Sequence, residues 1–183
     1  MAFGTGKKGP VIVAAGRRVD APNAQSPRFP AAKVDAVRER ILKFFDAESP
    51  VALVSSAACG ADLLVLEVAG QKRVKRYVLL GAEPAVFRMD SVADRPGNWG
   101  EVFDQVMSSA NVEVLKLPAG QESYLQTNLD LLNRADALAK QLGSPVQALI
   151  VWNEESRGPD DVTAHFLQQA KQRGYPVTEI STL

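Results

Sequence analysis

Six small residues in a row, Ser55 to Gly60, form the stretch of this sequence best suited to hold an anion. They follow the apolar run 51–54, which is typical of a buried strand, and precede an apolar helix predicted over 61–71. In such a unit the N–H groups at the helix N-terminus can face a phosphate, and small side chains let a ligand approach the backbone. The same residues also suit a tightly packed turn without a ligand, because the stretch has neither a GxGxxG pattern nor a Walker lysine. Both interpretations are open at this point.

Two carboxylates interrupt the predicted helix 61–71. Asp62 lies in its first turn, where a carboxylate interacts favourably with the helix dipole and suits a ribose hydroxyl better than a phosphate. Glu67 lies among apolar residues, and a buried carboxylate needs a partner. We expect that partner to be an arginine such as Arg17, with a catalytic acid as the alternative. The two carboxylates lie about 140° apart around the helix, which argues against a single acid pair.

The single cysteine and the single histidine limit the remaining chemistry. Cys59 lies at a helix N-terminus, which can lower a thiol pKa, and His165 is the only imidazole that could serve it as a base. We expect Cys59 to be a buried, inert side chain instead. With one residue of each type, we expect no metal site and no internal disulfide.

Length and charge set the general class. A chain of 183 residues suits one domain, and its 21 Lys and Arg are matched by 21 Asp and Glu. Because there is no basic excess, the expectation is against a nucleic-acid or membrane partner. No apolar run reaches membrane-spanning length and no signal peptide is recognisable, so we expect a cytoplasmic protein.

Apolar runs and helical periodicities alternate along the chain. This alternation predicts an α/β fold, namely a three-layer, Rossmann-like, doubly wound and mainly parallel sheet in a single domain. The domain is expected at 11–183, after a flexible tail at 1–10. Strands are predicted at 11–15, 51–54, 76–81, 112–117, 146–152 and 176–180. Helices are predicted at 30–45, 61–71, 98–109, 122–142 and from Asp160 or Asp161 to Gly174, with irregular connections at 16–30 and 82–97.

Polar residues and glycines concentrate in the loops that follow the strands, where ligands bind in such sheets. Arginine suits phosphate groups, and an aromatic side chain such as Trp152 can stack on a base or be buried with its N–H satisfied. The residues predicted to bind a ligand are Gly16, Arg17, Ser55, Ser56, Ala57, Ala58, Gly60, Asp62, Arg88, Ser91, Tyr124, Thr127, Asn128, Trp152, Asn153, Gly158, Asp161 and Thr163.

The helix 122–142 contributes three of these residues. Its leucines at 125, 129 and 132 are expected to face the core, and Tyr124, Thr127 and Asn128 then share another face. An aromatic ring and an amide on one face could stack on a base and hydrogen-bond to it. A solvated polar face is the alternative.

Five segments occur in an order that resembles the SLOG domain family: AAGRRVD, VSSAACGADLLVLEVA, FRMDSV, YLQTNLDLLNRADA and VWNEESRGPDDVTAHF. SLOG domains are Rossmann-like and are related to the Lonely Guy phosphoribohydrolases and to the DNA-processing protein DprA. The resemblance covers roughly residues 11–180, and SSAACGAD is its most specific part. It implies binding of a nucleotide or a nucleotide-derived signal, often beside an effector in bacterial defence systems.

One departure from this pattern bears on catalysis. In Lonely Guy enzymes the second glycine-rich motif ends in a catalytic glutamate. If Thr163 is the motif threonine, Phe166 occupies the glutamate position, and Asp160 and Asp161 replace the glycines. Because phenylalanine cannot act as a base, the resemblance implies binding more than hydrolysis.

The expected function is therefore sensing of a nucleotide-type ligand, such as an NAD-derived or cyclic signal, with no cofactor required. The sensor would act through a separate effector protein or by assembling as a homo-oligomer. The alternative is a phosphoribohydrolase that uses Glu67 with Arg17 or Arg157. A DprA-like single-strand DNA binder ranks third because the charge is balanced.

Overall fold

The computed structural model describes residues 8–183, in which six strands alternate with six α-helices. The strands are β1 (Val11–Gly16), β2 (Ala52–Ser55), β3 (Lys75–Leu80), β4 (Asn111–Val114), β5 (Val146–Trp152) and β6 (Val177–Ser181). The helices are α1 (Val34–Glu48), α2 (Ala61–Gln71), α3 (Pro84–Ser91), α4 (Trp99–Met107), α5 (Gln121–Leu142) and α6 (Val162–Gln172). A 3-10 turn at Ala31–Lys33 leads into α1.

The six strands form one parallel sheet in the order β4-β3-β2-β1-β5-β6. Strand β1 lies inside it, with Val11 in register with Ala52 of β2 on one side and Val146 of β5 on the other. The chain builds outward from β1 to β4, then crosses over the sheet and builds in the other direction to β6. The predicted α/β, Rossmann-like, doubly wound fold is confirmed.

Helices cover both faces of the sheet and enclose two cores. Helices α1, α2 and α4 pack together on one face, and α5 and α6 pack together on the other. Neighbouring residues of β1 enter different cores, because successive strand side chains point to opposite faces. Ile12 packs with Leu53 and Phe103, whereas Val13 packs with Ile150 and Phe166. The apolar runs that predicted buried strands are explained by this two-sided burial.

The connection 82–97 differs from its prediction as an irregular segment, because it contains the two-turn helix α3. Pro84 opens this helix at a position where a missing N–H costs nothing. Only Phe87 and Ser91 are buried in it. With one large apolar anchor over two turns, the segment has no periodicity from which a helix could be predicted.

Helix α5 presents a different face to the core than its leucine spacing predicted. Leu125 and Leu129 are half-buried. The buried residues are Thr127, Asn128, Leu131, Leu132, Ala135, Leu138 and Ala139. The expectation that Thr127 and Asn128 share an accessible face with Tyr124 is therefore wrong. The small residues on the true buried face let α5 pack closely on the sheet, which a count of leucines does not show.

Two other expectations concern the first residues of the chain and membrane-spanning segments. Residues 1–7 of the predicted tail lie outside the described residues. Across residues 8–183, none of the helices combines the length and the apolar character that crossing a membrane requires.

Phe166 provides a test of this packing, because it occupies the expected position of the catalytic glutamate and is fully buried in the core beneath α5 and α6. Replacing Phe166 with alanine should lower the free energy of unfolding by about 3–5 kcal/mol, since it leaves a cavity that the sheet cannot fill. Met89→Ala, at a largely exposed residue of α3, should change it by less than about 0.5 kcal/mol. Urea unfolding measures both values. Equal losses in the two variants would contradict the core position of Phe166.

Candidate functional site

The strand order reverses beside β1, so the crevice in which doubly wound folds bind ligands lies between the carboxyl ends of β1 and β5. Arg17 directly follows β1, and Asn153 directly follows β5. Asp161 is the N-cap residue of α6, which starts at the same edge. All three residues are buried. Their side chains fill this crevice.

Four hydrogen bonds hold the Arg17 guanidinium. Its Nη1 and Nη2 donate to the two carboxylate oxygens of Asp161, both at 2.7 Å. Nε donates to Oδ1 of Asn153 at 3.0 Å, and Nη2 also donates to the carbonyl of Glu155 at 2.6 Å. The guanidinium lies 5.4 Å from the ring centroid of Trp152, within cation–π range. Arg17 therefore ties the end of β1 to the loop after β5.

The Asp161 carboxylate accepts hydrogen bonds from three backbone N–H groups besides those from Arg17. They belong to Arg157 at 2.7 Å, Thr163 at 2.9 Å and Ala164 at 3.2 Å. Burial disfavours its charge, but the hydrogen bonds from Arg17 and the backbone outweigh this effect and hold the pKa of Asp161 well below its usual range. Asp161 is ionised at any pH near neutrality.

The small-residue turn after β2 is packed beneath the loop that carries Arg17. Cys59 donates its N–H to the carbonyl of Ser91, and Ala61 donates to the carbonyl of Arg17. A Cβ on Gly60, whose φ is +99°, would lie 2.6 Å from the backbone nitrogen of Val19. Ser56 and Ala58 are half-buried, whereas Ser55, Ala57, Cys59 and Gly60 are buried. The geometry is that of the tightly packed turn that the sequence left open as one of two interpretations.

Asp62 lies partly buried in the first turn of α2, as the sequence predicted. Burial raises its pKa to about 7. The Ala58 N–H, which approaches Oδ2 at 3.3 Å, and the charge of Arg18 favour the ionised form without cancelling this shift. Asp62 is thus a carboxyl group that changes charge near neutral pH.

Glu67 pairs with Arg38 of α1, with Nε of Arg38 3.2 Å from the carboxylate. The expected pairing of Glu67 with Arg17 is wrong, because Arg17 is engaged by Asp161. The structure does not bring the two catalytic candidates together either, since Arg157 has Asp161 as its ion-pair partner at 3.8 Å.

Helix α5 separates its three candidates. Thr127 bonds to the carbonyl of Ser123, and Asn128 donates to the carbonyl of Val162 at 2.9 Å, which joins α5 to α6. Tyr124 is half-exposed at the start of α5. Of these three candidates, only Tyr124 is accessible to a ligand.

The other candidates are scattered around the same edge or away from it. Trp152 is buried and donates to Glu179 at 2.8 Å. Arg88 makes a two-bond pair with Asp104, on the surface between α3 and α4. Thr163 donates to the carbonyl of Gly16 at 3.4 Å, so it belongs to the filled crevice. Of the remaining three, Gly158 lies in the exposed loop before Asp161, and Ser91 is buried at the end of α3. Gly16, the last residue of β1, lies close to Val151 of β5 and Ala61 of α2.

Cys59 is buried, and burial raises the pKa of its thiol. The charged groups that act on it are Arg18, Asp94 and Arg95, while His165 lies against Asn128. The pairing of Cys59 with His165 as nucleophile and base does not occur. The expectation of a protonated, inert thiol agrees with this geometry.

Four arginines at this edge, Arg18, Arg28, Arg95 and Arg157, were not predicted as a group, and we call them the arginine rim. Arg18 and Arg95 share the carboxylate of Asp94. Arg28 and Arg157 lie close enough to interact, and burial together with the charges of Arg17 and Arg28 lowers the pKa of Arg157. Arg18 lies just after β1 and Arg157 lies in the loop after β5, so position after a strand could have indicated these two. Arg28 and Arg95 lie far from any strand end in the sequence, and no local signal marks them.

Comparisons with known proteins bear mainly on the fold. No family model and no curated protein matches the sequence. Among solved structures, DNA processing protein A (DprA) from Streptococcus pneumoniae is similar over 93% of this chain, with 16% identity and a TM-score of 0.44. DprA from Helicobacter pylori is similar over 93% of this chain, with 12% identity and a TM-score of 0.42. This chain spans 58% of the first protein and 75% of the second.

Two expectations are corrected at this point. The first expectation was that the chain has a cleft that senses or hydrolyses a nucleotide. The second was that nucleic acid is not a partner of this chain. The similar structures are DNA processing proteins, and the Helicobacter pylori structure concerns single-stranded DNA binding. In this chain the crevice that would take the nucleotide phosphate is filled by Arg17 and Asp161.

Two glycines with positive φ test the packing of the small-residue turn. Gly60→Ala should destabilise the protein by more than Gly158→Ala, because a Cβ at Gly60 would clash with the backbone of Val19. At Gly158, with φ +108°, the Cβ meets nothing within 4 Å, so only the conformational cost of about 1–2 kcal/mol applies. Urea unfolding of the two variants measures the difference. Equal losses would show that the turn is not closed by the Arg17 loop.

Asp62 makes a second prediction, which concerns pH. Its folded pKa is raised to about 7 from 3.8, so the folded state holds a proton that the unfolded state releases. Stability should therefore fall as pH rises between about 4 and 7 and level off above that range. Relative to the wild type, Asp62→Asn should gain stability over this interval, as measured by urea unfolding at several pH values. A difference that does not change with pH would contradict the shifted titration.

Proposed function

We propose that this chain binds single-stranded nucleic acid across the carboxyl edge of its sheet. In this proposal Tyr124 stacks on an unpaired base and the arginine rim contacts the phosphates. The observation that carries the proposal is the position of Tyr124, which is 50% exposed at the same edge as the rim. An accessible aromatic ring beside guanidinium groups is the usual combination in proteins that bind single strands.

A hydrogen bond links the start of α5 to the loop that carries Arg157. Gln121, in the first turn of α5, donates to the carbonyl of Asp160 at 3.2 Å. Asp160 belongs to the exposed loop that carries Arg157, whose side chain is 48% exposed. Tyr124, one turn further along α5, therefore lies on the side of the edge where this loop emerges.

Arginine side chains cluster at this edge, although the whole chain has equal numbers of acidic and basic residues. Arg17, Arg28 and Arg157 lie around one buried carboxylate, that of Asp161. Arg18 and Arg95 share a second carboxylate, that of Asp94. Both groups bring guanidinium groups together at this edge.

Exposed carboxylates on the loop oppose this attraction. Glu154, Glu155 and Asp160 flank Arg157 and are accessible to solvent. Their repulsion of phosphate weakens the proposed binding and offsets part of its dependence on salt. This repulsion can be tested, because neutralising one of these carboxylates should strengthen nucleic-acid binding.

We also propose that the chain is related to the SLOG group. The support is the order of the five sequence segments and the placement of SSAACGAD between β2 and α2. In this chain that segment serves packing, so the relationship concerns ancestry and not a retained ligand site.

The test is titration of a fluorescent oligothymidylate with the protein, measured by anisotropy at several salt concentrations. Single-stranded DNA is chosen because it is the ligand named for the Helicobacter pylori protein. Tyr124→Ala should weaken binding by about 1–3 kcal/mol, or roughly five- to 150-fold, whereas Tyr124→Phe should bind like the wild type because it retains the ring. Arg157→Gln should lower the slope of log affinity against log salt by about 0.7, the value for one lost phosphate contact.

Two further variants serve as controls. Lys140→Gln removes an exposed charge from the last turn of α5, at the opposite end from Tyr124, and should leave affinity unchanged. Asp160→Asn should strengthen binding. If wild-type binding is absent or independent of salt, or if Tyr124→Ala binds as well as Tyr124→Phe, the proposal fails.

A further inference from the structure

We infer that two copies of this chain associate through β4, the outermost strand at one end of the sheet, so that their sheets join into one. In this arrangement β4 of one copy runs antiparallel to β4 of the other, and Val112 lies opposite its counterpart at the twofold axis. The inference concerns the side edge of the sheet and not the carboxyl ends of its strands. It therefore does not rest on the proposed binding of nucleic acid.

Strand β4 carries a row of backbone groups that its own sheet does not use. Within residues 8–183 it pairs with β3 alone, because it stands last in the strand order. Leu115, directly after β4, donates its N–H to the carbonyl of Leu80 on β3. Since the backbone groups of successive strand residues point to alternate sides, those of Val112 and Val114 point away from β3. An edge of this kind is a template for pairing with another strand.

The side chains of β4 are exposed as well as its edge. Asn111, Val112 and Glu113 are accessible to solvent, and Val112 is 38% exposed. By contrast, every residue of β2 is buried. A second β4 at this edge would cover each Val112 with an identical valine, which removes apolar surface from water.

A groove of about 280 Å³ lies beside β4, on the face of the sheet that α5 covers. Its lining includes Asn111 and Glu113 of β4, Tyr77 of β3 and Arg134 of α5. The Arg134 guanidinium lies 5.3 Å from the ring centroid of Tyr77, and Tyr77 is in register with Asn111. The groove thus presents a positive group above β3 and a carboxylate on the edge strand.

Charge selects one register for the pairing. A twofold axis at Glu113 would place two carboxylates opposite each other, which is destabilising. An axis at Val112 instead places Glu113 opposite Asn111 of the second copy, and the two valines exchange both backbone hydrogen bonds. Two strand spacings, about 10 Å, then separate the Glu113 backbone from Tyr77 of the second copy, a span that the Glu113 and Arg134 side chains can bridge.

The twofold axis produces this charge contact twice. Each copy offers one carboxylate, that of Glu113, and one guanidinium, that of Arg134, to the opposite charges of the other copy. Such reciprocal complementarity is what an interface between identical surfaces requires. It favours a second copy of this chain as the occupant of the edge over an unrelated strand.

The first test is sedimentation velocity of the full chain over a series of concentrations without nucleic acid. The wild type should shift from monomer to dimer as its concentration rises, because a strand of four residues supports only a small interface. Val112→Pro should weaken the dimer at least about tenfold, since it removes the N–H that faces the second copy. An outward N–H on an edge strand is a position where a fold tolerates proline. Val112→Ile retains the N–H and should dimerise like the wild type.

The second test exchanges charges across the interface. Glu113→Arg alone brings arginines together, and Arg134→Glu alone brings carboxylates together, so each variant should stay monomeric at concentrations where the wild type dimerises. An equal mixture of the two variants should dimerise again, because each copy then supplies the charge that the other lacks. Lys140→Glu changes an exposed charge in the last turn of the same helix and should leave dimerisation unchanged.

Each outcome decides the inference. A wild type that is monomeric at every concentration would overturn it, and so would a dimer that Val112→Pro leaves as tight as Val112→Ile does. A mixture of the charge variants that remains monomeric would exclude the register. If circular dichroism shows that Val112→Pro does not fold, the charge variants decide alone. Recovery of the dimer in the mixture would support the inference whether or not the chain binds DNA.

Discussion

The buried ion pair between Arg17 and Asp161 is the interaction on which the carboxyl edge of the sheet depends. It joins β1 to α6 and, through the other bonds of Arg17, to the loop after β5. A buried pair of this kind adds little net stability, but loss of one partner costs about 3–5 kcal/mol because the other charge is left without compensation. The pair therefore fixes the geometry of the edge more than it adds to stability. The loop after β5 and the start of α2 both hydrogen-bond to Arg17.

The fold could be predicted from the sequence because the inner strands β1, β2 and β5 are short, mostly apolar and mostly buried. Residues 146–152 were predicted as a strand and form β5 with the same bounds, since Ser144 and Pro145 end the preceding helix clearly. Helix α3 was missed because two turns with a single buried aromatic residue produce no periodic signal. The buried face of α5 was misassigned because close packing on the sheet selects alanine and threonine, whereas the prediction counted leucines.

The candidate site was harder to predict, because its state depends on contacts between distant parts of the chain. Arg17 and Asp161 were both placed at the right edge, but no local pattern shows that they neutralise each other across the crevice. Glu67 illustrates the same point, since its partner Arg38 lies on a neighbouring helix and not in a motif.

The position of β1 inside the sheet has a consequence for folding. One side of β1 pairs with β2, which follows after a single helix, but the other side pairs with β5 near the end of the chain. During synthesis the first half of the sheet can assemble while the β5 side of β1 still exposes unpaired backbone groups. Contacts between such distant segments slow folding, and an open strand edge favours association between chains. Synthesis of β5 is thus the step that completes the pairing of β1 and removes this hazard.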